Sequence, residues 1–520
     1  MLERLTNPDE LETVARRINE LIEAHAEWLY AQGGDTAATA LLALRRSEID
    51  LHVSQGRLIF SCWTEKGMRS WRVHAWEWTT AKLLLEATRR AGAERALIEL
   101  IPRVSTKVIN ATISAARRER AVHLAQLASC ASAEGIKIER VRLSRGARPH
   151  EPGRMARIHL RLNGARILAT GVVTQGEAHD VDAFLSSALI WFTRARERAT
   201  PALTQKLWLI ADHRHMEALA AGVAMLRVEL RRIISLYEID DEWKELKPVR
   251  CPEQAELWAA PRERFRRPTQ VKPGEWAKRI VSLAPDAIDV VHARHGETLR
   301  FHGLPFARVR RLMNVERVWF GVAGTPMRLL DESTAADLDN LLQQLKEHRQ
   351  GQAIDHRHAL YRAAPEAWLE SMLRRDITRL DPGLILAPLY AQFRPSQSVS
   401  AAGGGSARPI DLLALRRDGR LVVIELKVSE DREHVLQAVG YWRRVEAHRR
   451  WGHLARARLF GDALIADESP LVYLVAPTLR FHRAFHLLAQ AIDPRIRIYR
   501  FDLNEDWRAG VRVMRRTHVS

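Results

Sequence analysis

The stretch Gly419-Arg-Leu-Val-Val-Ile-Glu-Leu-Lys-Val428 decides how this chain is read. A β-branched run after the Asp418-Gly419 turn predicts a strand that carries two charges, Glu425 and Lys427, two positions apart. Residues i and i+2 share a strand face, so acid and base stand side by side. Leu421 and Val423 precede them on that face, while Val422, Ile424, Leu426 and Val428 take the other. An acid and a base near the end of an otherwise apolar strand are costly unless a partner or a metal uses them. Glu-x-Lys alone is common on solvated strand faces; the elements around it give it meaning.

Asp411-Leu-Leu-Ala-Leu415 reads as the preceding strand, and Arg416 to Arg420 reverse the chain. A two-residue Asp418-Gly419 loop would set Asp411 opposite Leu426. A three-residue loop, Arg417-Asp418-Gly419 with Gly419 left-handed, sets Asp411 opposite Glu425. A one-residue slip turns every side chain to the other face, so the two registers predict different chemistry. The three-residue loop is the expectation. Opposed carboxylates then have Cβ atoms roughly 5 Å apart, close enough to hold one divalent ion at about 2.1 Å.

Ser429 to Arg450 reads as a helix with Val435, Val439, Trp442 and Val445 at core spacing. Gln437 and Tyr441, four apart, form a polar stripe that His434, Arg444 and His448 extend. Upstream, Pro365 to Leu380 reads as another helix, with Pro365 at its first position. Trp368, Leu369, Met372, Leu373 and Ile377 make its buried side, and Glu366 lies nearer that side than Glu370 does.

This order of acidic helix, Asp strand, Glu-x-Lys strand and Gln-x-x-x-Tyr helix resembles the PD-(D/E)xK nuclease superfamily. Within it, the pattern is most similar to NucS-like endonucleases with a RecB-like Gln-x-x-x-Tyr helix. The resemblance covers residues 360 to about 516. It implies an α/β, restriction-endonuclease-like mixed sheet flanked by helices. It also implies that Asp411 and Glu425 ligate Mg²⁺ (or Mn²⁺) and that Lys427 orients or activates the attacking water. Glu366 would assist the metal site, and Gln437 and Tyr441 would support the site or the DNA backbone. The residue before Asp411 is Ile410, with Pro409 one step earlier, a departure the superfamily tolerates.

Composition agrees with a polyanionic partner. Lys and Arg number 81 against 63 Asp and Glu, a formal charge of +18 over 520 residues, and such a balance favours nucleic acid through counterion release. The basic residues are spread through folded segments, which argues against a membrane-surface helix. No apolar run approaches the ~18 residues needed to span a bilayer. The charged N-terminus is unlike a signal peptide. Cys62, Cys130 and Cys251 are too scattered for a disulfide framework or a zinc site. A cytoplasmic protein is expected.

The first half echoes the second. Asn163-Gly-Ala-Arg-Ile-Leu-Ala-Thr-Gly-Val-Val173 parallels Asp418 to Val428, and Leu207-Trp-Leu-Ile-Ala211 parallels Val472-Tyr-Leu-Val-Ala476. Asp240-Asp-Glu-Trp243 then answers Asn504-Glu-Asp-Trp507, and Ile49-Asp-Leu-His answers Ile288-Asp-Val-Val-His. A tandem duplication is expected, each copy a small β module followed by a nuclease-like unit. The expected divisions are a helical segment at 1–46 with a helix over 8–32, a β module at 47–104 and a degenerate unit at 105–250. A linker at 251–284, a second β module at 285–352 and the nuclease domain at 353–520 complete them. In the first copy Ala156, Thr170 and Val172 are expected where Asp411, Glu425 and Lys427 stand, and Ser186 and Ile190 where Gln437 and Tyr441 stand. Trp63, Trp71, Trp76 and Trp78 read as sheet-packing residues before base-stacking ones.

His482-x-x-x-His486 lacks the glutamate of a zincin, and His213-x-His215 and His356-x-His358 lack third ligands. Without a Gly-rich phosphate loop, ATP dependence has no support. The expectation is a Mg²⁺-dependent DNA endonuclease of repair or defence. The rivals are a non-catalytic DNA-binding or assembly protein and an RNA nuclease.

Overall fold

Alternating apolar and polar side chains turn most of the first hundred residues into strands. The computed structural model describes residues 3–5, 10–33, 42–64, 67–79, 82–89, 92, 94–103, 106–131, 135–146, 152–174, 180–198, 204–258, 273–293, 296–312, 315–393 and 410–519. They fall into two compact units, Met1–Ala116 and Arg117–Ser520.

The first unit holds β1 (Glu3–Arg4), α1 (Leu11–Glu23), β2 (Glu27–Gly33), β3 (Leu42–Arg45), β4 (Ile49–Ser54), β5 (Arg57–Thr64), β6 (Gly67–Trp78), β7 (Leu83–Arg89) and β8 (Glu94–Pro102). The strands run in the order β3-β2-β8-β7-β6-β5-β4, with β1 on β6. Leu11, Ala15, Ile18 and Ile22 press α1 onto this sheet. The expected helix over 8–32 stops at Glu23, because Trp28 and Tyr30 alternate inward on β2 and pair with β8. The 1–46 stretch is therefore no separate helical segment; its three strands, β1, β2 and β3, belong to the sheet. Trp71 and Trp76 are buried in that core, as expected, whereas Trp63 is exposed.

The second unit begins within α2 (Thr106–Cys130). It continues with β9 (Lys137–Arg145), β10 (Pro152–Leu162), β11 (Ala165–Val172), α3 (Val181–Arg198), β12 (Thr204–Asp212), α4 (His213–Val223), α5 (Val228–Ile233), β13 (Ile234–Ile239) and β14 (Leu246–Val249). Next come α6 (Glu275–Ser282), β15 (Ile288–Ala293), β16 (Gly296–Phe301), β17 (Leu304–Leu312), β18 (Val315–Phe320), β19 (Arg328–Leu329), α7 (Ala335–His348) and α8 (Ala359–Arg362). The last stretch is α9 (Pro365–Arg375), β20 (Leu384–Phe393), β21 (Ile410–Arg416), β22 (Leu421–Leu426), α10 (His434–Arg450), α11 (His453–Arg456), β23 (Leu471–Pro477), α12 (Phe485–Ala491), β24 (Ile498–Leu503) and β25 (Val513–His518). The helices expected at 365–380 and 429–450 are thus shorter, ending at Arg375 and starting at His434. The expected linker 251–284 contains α6 and a 3₁₀ turn at Gln254–Trp258. The basic run 262–267 and the Ser/Gly-rich stretch 396–406 lie outside the described residues.

Two sheets share one plan. In β9–β14 the first two pairings are antiparallel, the next two parallel and the last antiparallel. In β20–β25 the sequence of pairings is the same. Each parallel step is crossed by a helix, α3 answering α10 and α4 answering α12. Between the two sheets, α3, α4, α10 and α12 share one hydrophobic cluster, with Phe184, Leu185, Leu219, Val439, Trp442 and Leu488 among its members. An antiparallel bridge joins Leu226, after α4, to Ile492, after α12. It is reciprocal: Arg227 N donates to Ala491 O at 2.9 Å and Asp493 N to Met225 O at 3.0 Å.

On the outer face of the last sheet, Trp368, Leu369 and Leu373 seat α9 against Leu412, Ala414, Val422 and Ile424. Arg349 fixes the approach to this helix. Its guanidinium is fully buried and donates to the carbonyls of Phe301, His302, Leu360, Ala363 and Ala364. It also lies over the Trp368 ring, 4.7 Å from the centroid. Burial, with Arg508 nearby, pushes its pKa down to about 9.

Candidate functional site

The β21–β22 hairpin adopts the three-residue register. Leu412 faces Ile424 and Leu415 faces Leu421, so continuation of the ladder sets Asp411 opposite Glu425. Arg416 N donates to Arg420 O and Gly419 N to Arg416 O, closing the turn. Gly419 sits at φ +82°, and a Cβ there would lie 2.8 Å from Leu464 O. Only glycine meets both demands. Asp411, near the start of β21 and just beyond the last paired residue Leu412, accepts the Leu426 N–H at Oδ2 (2.8 Å).

Leu413, Leu415, Leu421 and Val423 pack with Tyr441 and Val445 of α10, and by alternation Asp411, Glu425 and Lys427 share that face. Glu425 is 1% exposed and Lys427 7%. Lys427 Nζ donates to Glu425 Oε1 at 2.9 Å and stands 3.8 Å from Asp431 Oδ2. Burial disfavours the Lys427 ammonium, but Glu425, Glu366 and Asp411 outweigh it and hold its pKa above the ordinary lysine value. Burial and Asp411 together overcome Lys427 and raise the Glu425 pKa well above normal. Burial likewise lifts Asp411 to about 6, against the Leu426 N–H and Lys427, with Glu366 adding to the rise. One lysine does not neutralise this many carboxylates.

Glu366 in the first turn of α9 therefore reaches Asp411, Glu425 and Lys427 electrostatically. Glu370, one turn on, is buried beside Asp411; burial first and that charge second push its pKa up to about 7. Both glutamates thus belong to the cluster, but Glu370, expected farther from the buried side of α9, is the more buried of the two. On α10, Gln437 Nε2 donates to the Tyr441 hydroxyl at 3.1 Å, and burial followed by the charge of Glu425 raises the Tyr441 pKa. The structure accordingly brings Asp411, Glu425, Lys427, Glu366, Gln437 and Tyr441 into one neighbourhood.

Two participants escaped the sequence reading. Asp431 flanks Lys427 and accepts the Glu433 N–H, fixing the turn into α10. His434, noted only as part of a polar stripe, is buried, and burial lowers its pKa to about 4. Its neutral ring donates from Nε2 to the Glu425 carbonyl at 3.1 Å. The i, i+4 spacing of Lys427 and Asp431 is the only local signal for either.

The donor set fits a small hard cation. Glu425 Oε2, Glu370 Oε1 and Gln437 Oε1 are buried without hydrogen-bond partners, and such atoms are costly unless satisfied. Among the described residues no group of three or more His, Cys, Asp or Glu side chains is gathered to chelate an ion. Asp411 and Glu425 would thus supply two ligands and leave the remaining positions to water or substrate, as is usual for Mg²⁺.

The corresponding hairpin of the first sheet is built differently. Asn163 and Gly164, at φ +48° and +82°, make a two-residue turn. The residue opposite Thr170 is then Arg157, and not Ala156, which faces Gly171. An arginine occupies the place across from Thr170 that Asp411 occupies across from Glu425. Ser186 and Ile190 are buried in α3 and offer no counterpart to the Gln437–Tyr441 pair.

The remaining histidine pairs have other partners. His215 contacts Asp212 and His213 Glu238, while His358 stacks on His348 and His356 on Tyr361. No helix among the described residues is long and apolar enough to cross a membrane. Compared with known protein-family models, curated proteins and solved structures, the chain matches none.

Proposed function

We propose that residues 353–520 form a metal-dependent nuclease unit of the PD-(D/E)xK kind, acting on DNA. The observation that carries the reading is the Leu412–Ile424 register, which by continuation sets Asp411 opposite Glu425, with Lys427 beside Glu425 and Glu425 Oε2 left without a partner. The strand plan of β20–β25, with helices on both faces, supports a restriction-endonuclease-like fold. The matching plan of β9–β14 supports a tandem duplication in which the first copy has lost its acidic pair.

Asp411 and Glu425 would hold a divalent ion, which when bound lowers the pKa of water and polarises a phosphate oxygen. Lys427, steered by Glu425 and Asp431, points an ammonium at the same place, where it orients water and offsets developing negative charge. Gln437 braces Tyr441 against the acidic pair, and His434 pins the Glu425 backbone. Glu366 and Glu370 deepen the negative potential that attracts the cation. The formal charge of +18 favours a polyanionic substrate.

The test is a panel of labelled single-stranded, duplex and branched DNA, with matched RNA, incubated with Mg²⁺ or Mn²⁺ and with a chelator. Metal-dependent DNA products, absent with Glu425→Ala, are expected. Products from RNA alone would move the substrate to RNA. Binding without cleavage would make the protein a nucleic-acid-binding scaffold.

A further inference from the structure

The first α/β sheet carries an arginine cluster at the position corresponding to the acidic pair. Arg157 lies half-buried on β10, opposite Thr170, with its guanidinium 5.7 Å from the Trp191 ring centroid on α3. Arg194, Arg432 and Arg145 lie close enough to repel its charge. Arg194 and Arg432 also act together on His482, where Glu430 is the acid nearby. Arg432 directly follows Asp431, the partner of Lys427, so the cluster runs from the first sheet to the edge of the candidate active site. The two helices are in contact at this junction: a Cβ on Gly440 of α10 would stand 3.8 Å from Asp182 of α3.

Several arginines of the first copy have other work. Arg161 and Arg166 both pair with Glu139, and Arg196 lies over Phe192. Among the described residues no carboxylate is within ion-pair distance of Arg145, Arg157 or Arg194, and Arg432 reaches only Glu433, at 4.0 Å. Arg157 and Arg194 are half-buried, with Arg194 one helical turn beyond Trp191 on α3, while Arg145 and Arg432 are exposed beside them. Like charges so placed repel, and an anion between them relieves that repulsion. Guanidinium groups match phosphate oxygens in pairs.

We infer that Arg157, Arg194, Arg145 and Arg432 form a phosphodiester-binding site, where the first copy grips nucleic-acid backbone that it does not cut. This rests on the nuclease reading and extends it: the second copy would cleave one strand while the first holds a neighbouring stretch. No chemistry is required of the first copy, only charge and shape.

The experiment uses the full chain and a fluorescent DNA duplex without divalent metal, with anisotropy measured across a series of KCl concentrations. In the double variant Arg157→Gln/Arg194→Gln, the log–log slope of affinity against salt should become shallower by about 0.9 for each phosphate no longer neutralised. Arg161→Gln, whose arginine is paired with Glu139, should keep the wild-type slope. Should the double variant fail to fold, Arg194→Gln alone carries the test. An unchanged slope in a folded variant overturns the inference, as does an equal drop in Arg161→Gln. Wild-type protein that binds no nucleic acid would instead remove the nuclease reading, and the inference with it.

Discussion

Leu226 and Ile492 meet in an antiparallel bridge, each just beyond the helix that follows the third-to-last strand of its own sheet. The bridge is isologous in form, because each side donates one backbone hydrogen bond to the other. It ties together the helical layer in which Val435, Val439, Trp442, Phe485 and Leu488 are buried against α3 and α4.

A fragment spanning 285–520 would lay that surface bare. Uncovered apolar patches of this kind drive association, so the fragment should aggregate or self-associate on size exclusion. Co-expression with 117–258 should restore solubility. A monodisperse, cooperatively melting monomer would show that the two halves are independent.

Asp411→Asn and Lys427→Met should each lower single-turnover cleavage by more than ~100-fold, the scale of losing one electrostatic stabiliser. Asp411→Asn should not lower the thermal midpoint, since it relieves repulsion with Glu425. Wild-type rates in either variant would remove that residue from the chemistry.

The acidic cluster sets a pH dependence with a definite sign. The folded-state pKa values of Asp411 and Glu370 are raised to about 6 and about 7, and that of Glu425 is raised as well. A raised carboxyl pKa contributes stability that is present below about pH 4 and lost as pH climbs through the folded value. In chelator, the midpoint advantage of Asp411→Asn over wild type should therefore widen between about pH 4 and 6. Added Mg²⁺ should stabilise the wild type more at pH 7.5 than at pH 5, because protonated carboxyls bind it poorly. A pH-independent difference in calorimetry would contradict this.

Arg349→Met should cost about 3 kcal/mol or more, because it orphans several buried carbonyls at once. The readout is the denaturant midpoint at unchanged m-value. Since Arg349 anchors the entry to α9 through Ala363 and Ala364, cleavage should fall as well. A loss under about 1 kcal/mol would mean that water replaces the guanidinium.

Where local chemistry decided the geometry, the chain was legible. Gly419, the Arg417-Asp418-Gly419 loop and the alternation that follows set the Asp411–Glu425 register, and all of that lies within 18 residues (411–428). The same rule applied at Asn163-Gly164 would have pointed to Arg157, since Asn-Gly favours a two-residue turn. Matching residue types between the two hairpins points to Ala156 instead, which faces Gly171. Trp28-Leu-Tyr30 read as helix because its partner, β8, is distant in sequence, and non-local pairing overrides helical spacing. His434 and Asp431 were obscure for a related reason: their partners are fixed only once α10 has docked on β22.

In an assembly of identical subunits every substitution is made twice, and a residue that serves one site must be tolerated at the other. Here the paired halves belong to one polypeptide, so Arg157 and Asp411 can differ without compromise. The junction is also proof against dilution, since its halves are joined through the chain and do not have to find each other in solution. Asymmetry is thus encoded permanently, and whatever the two faces do, each can be tuned alone.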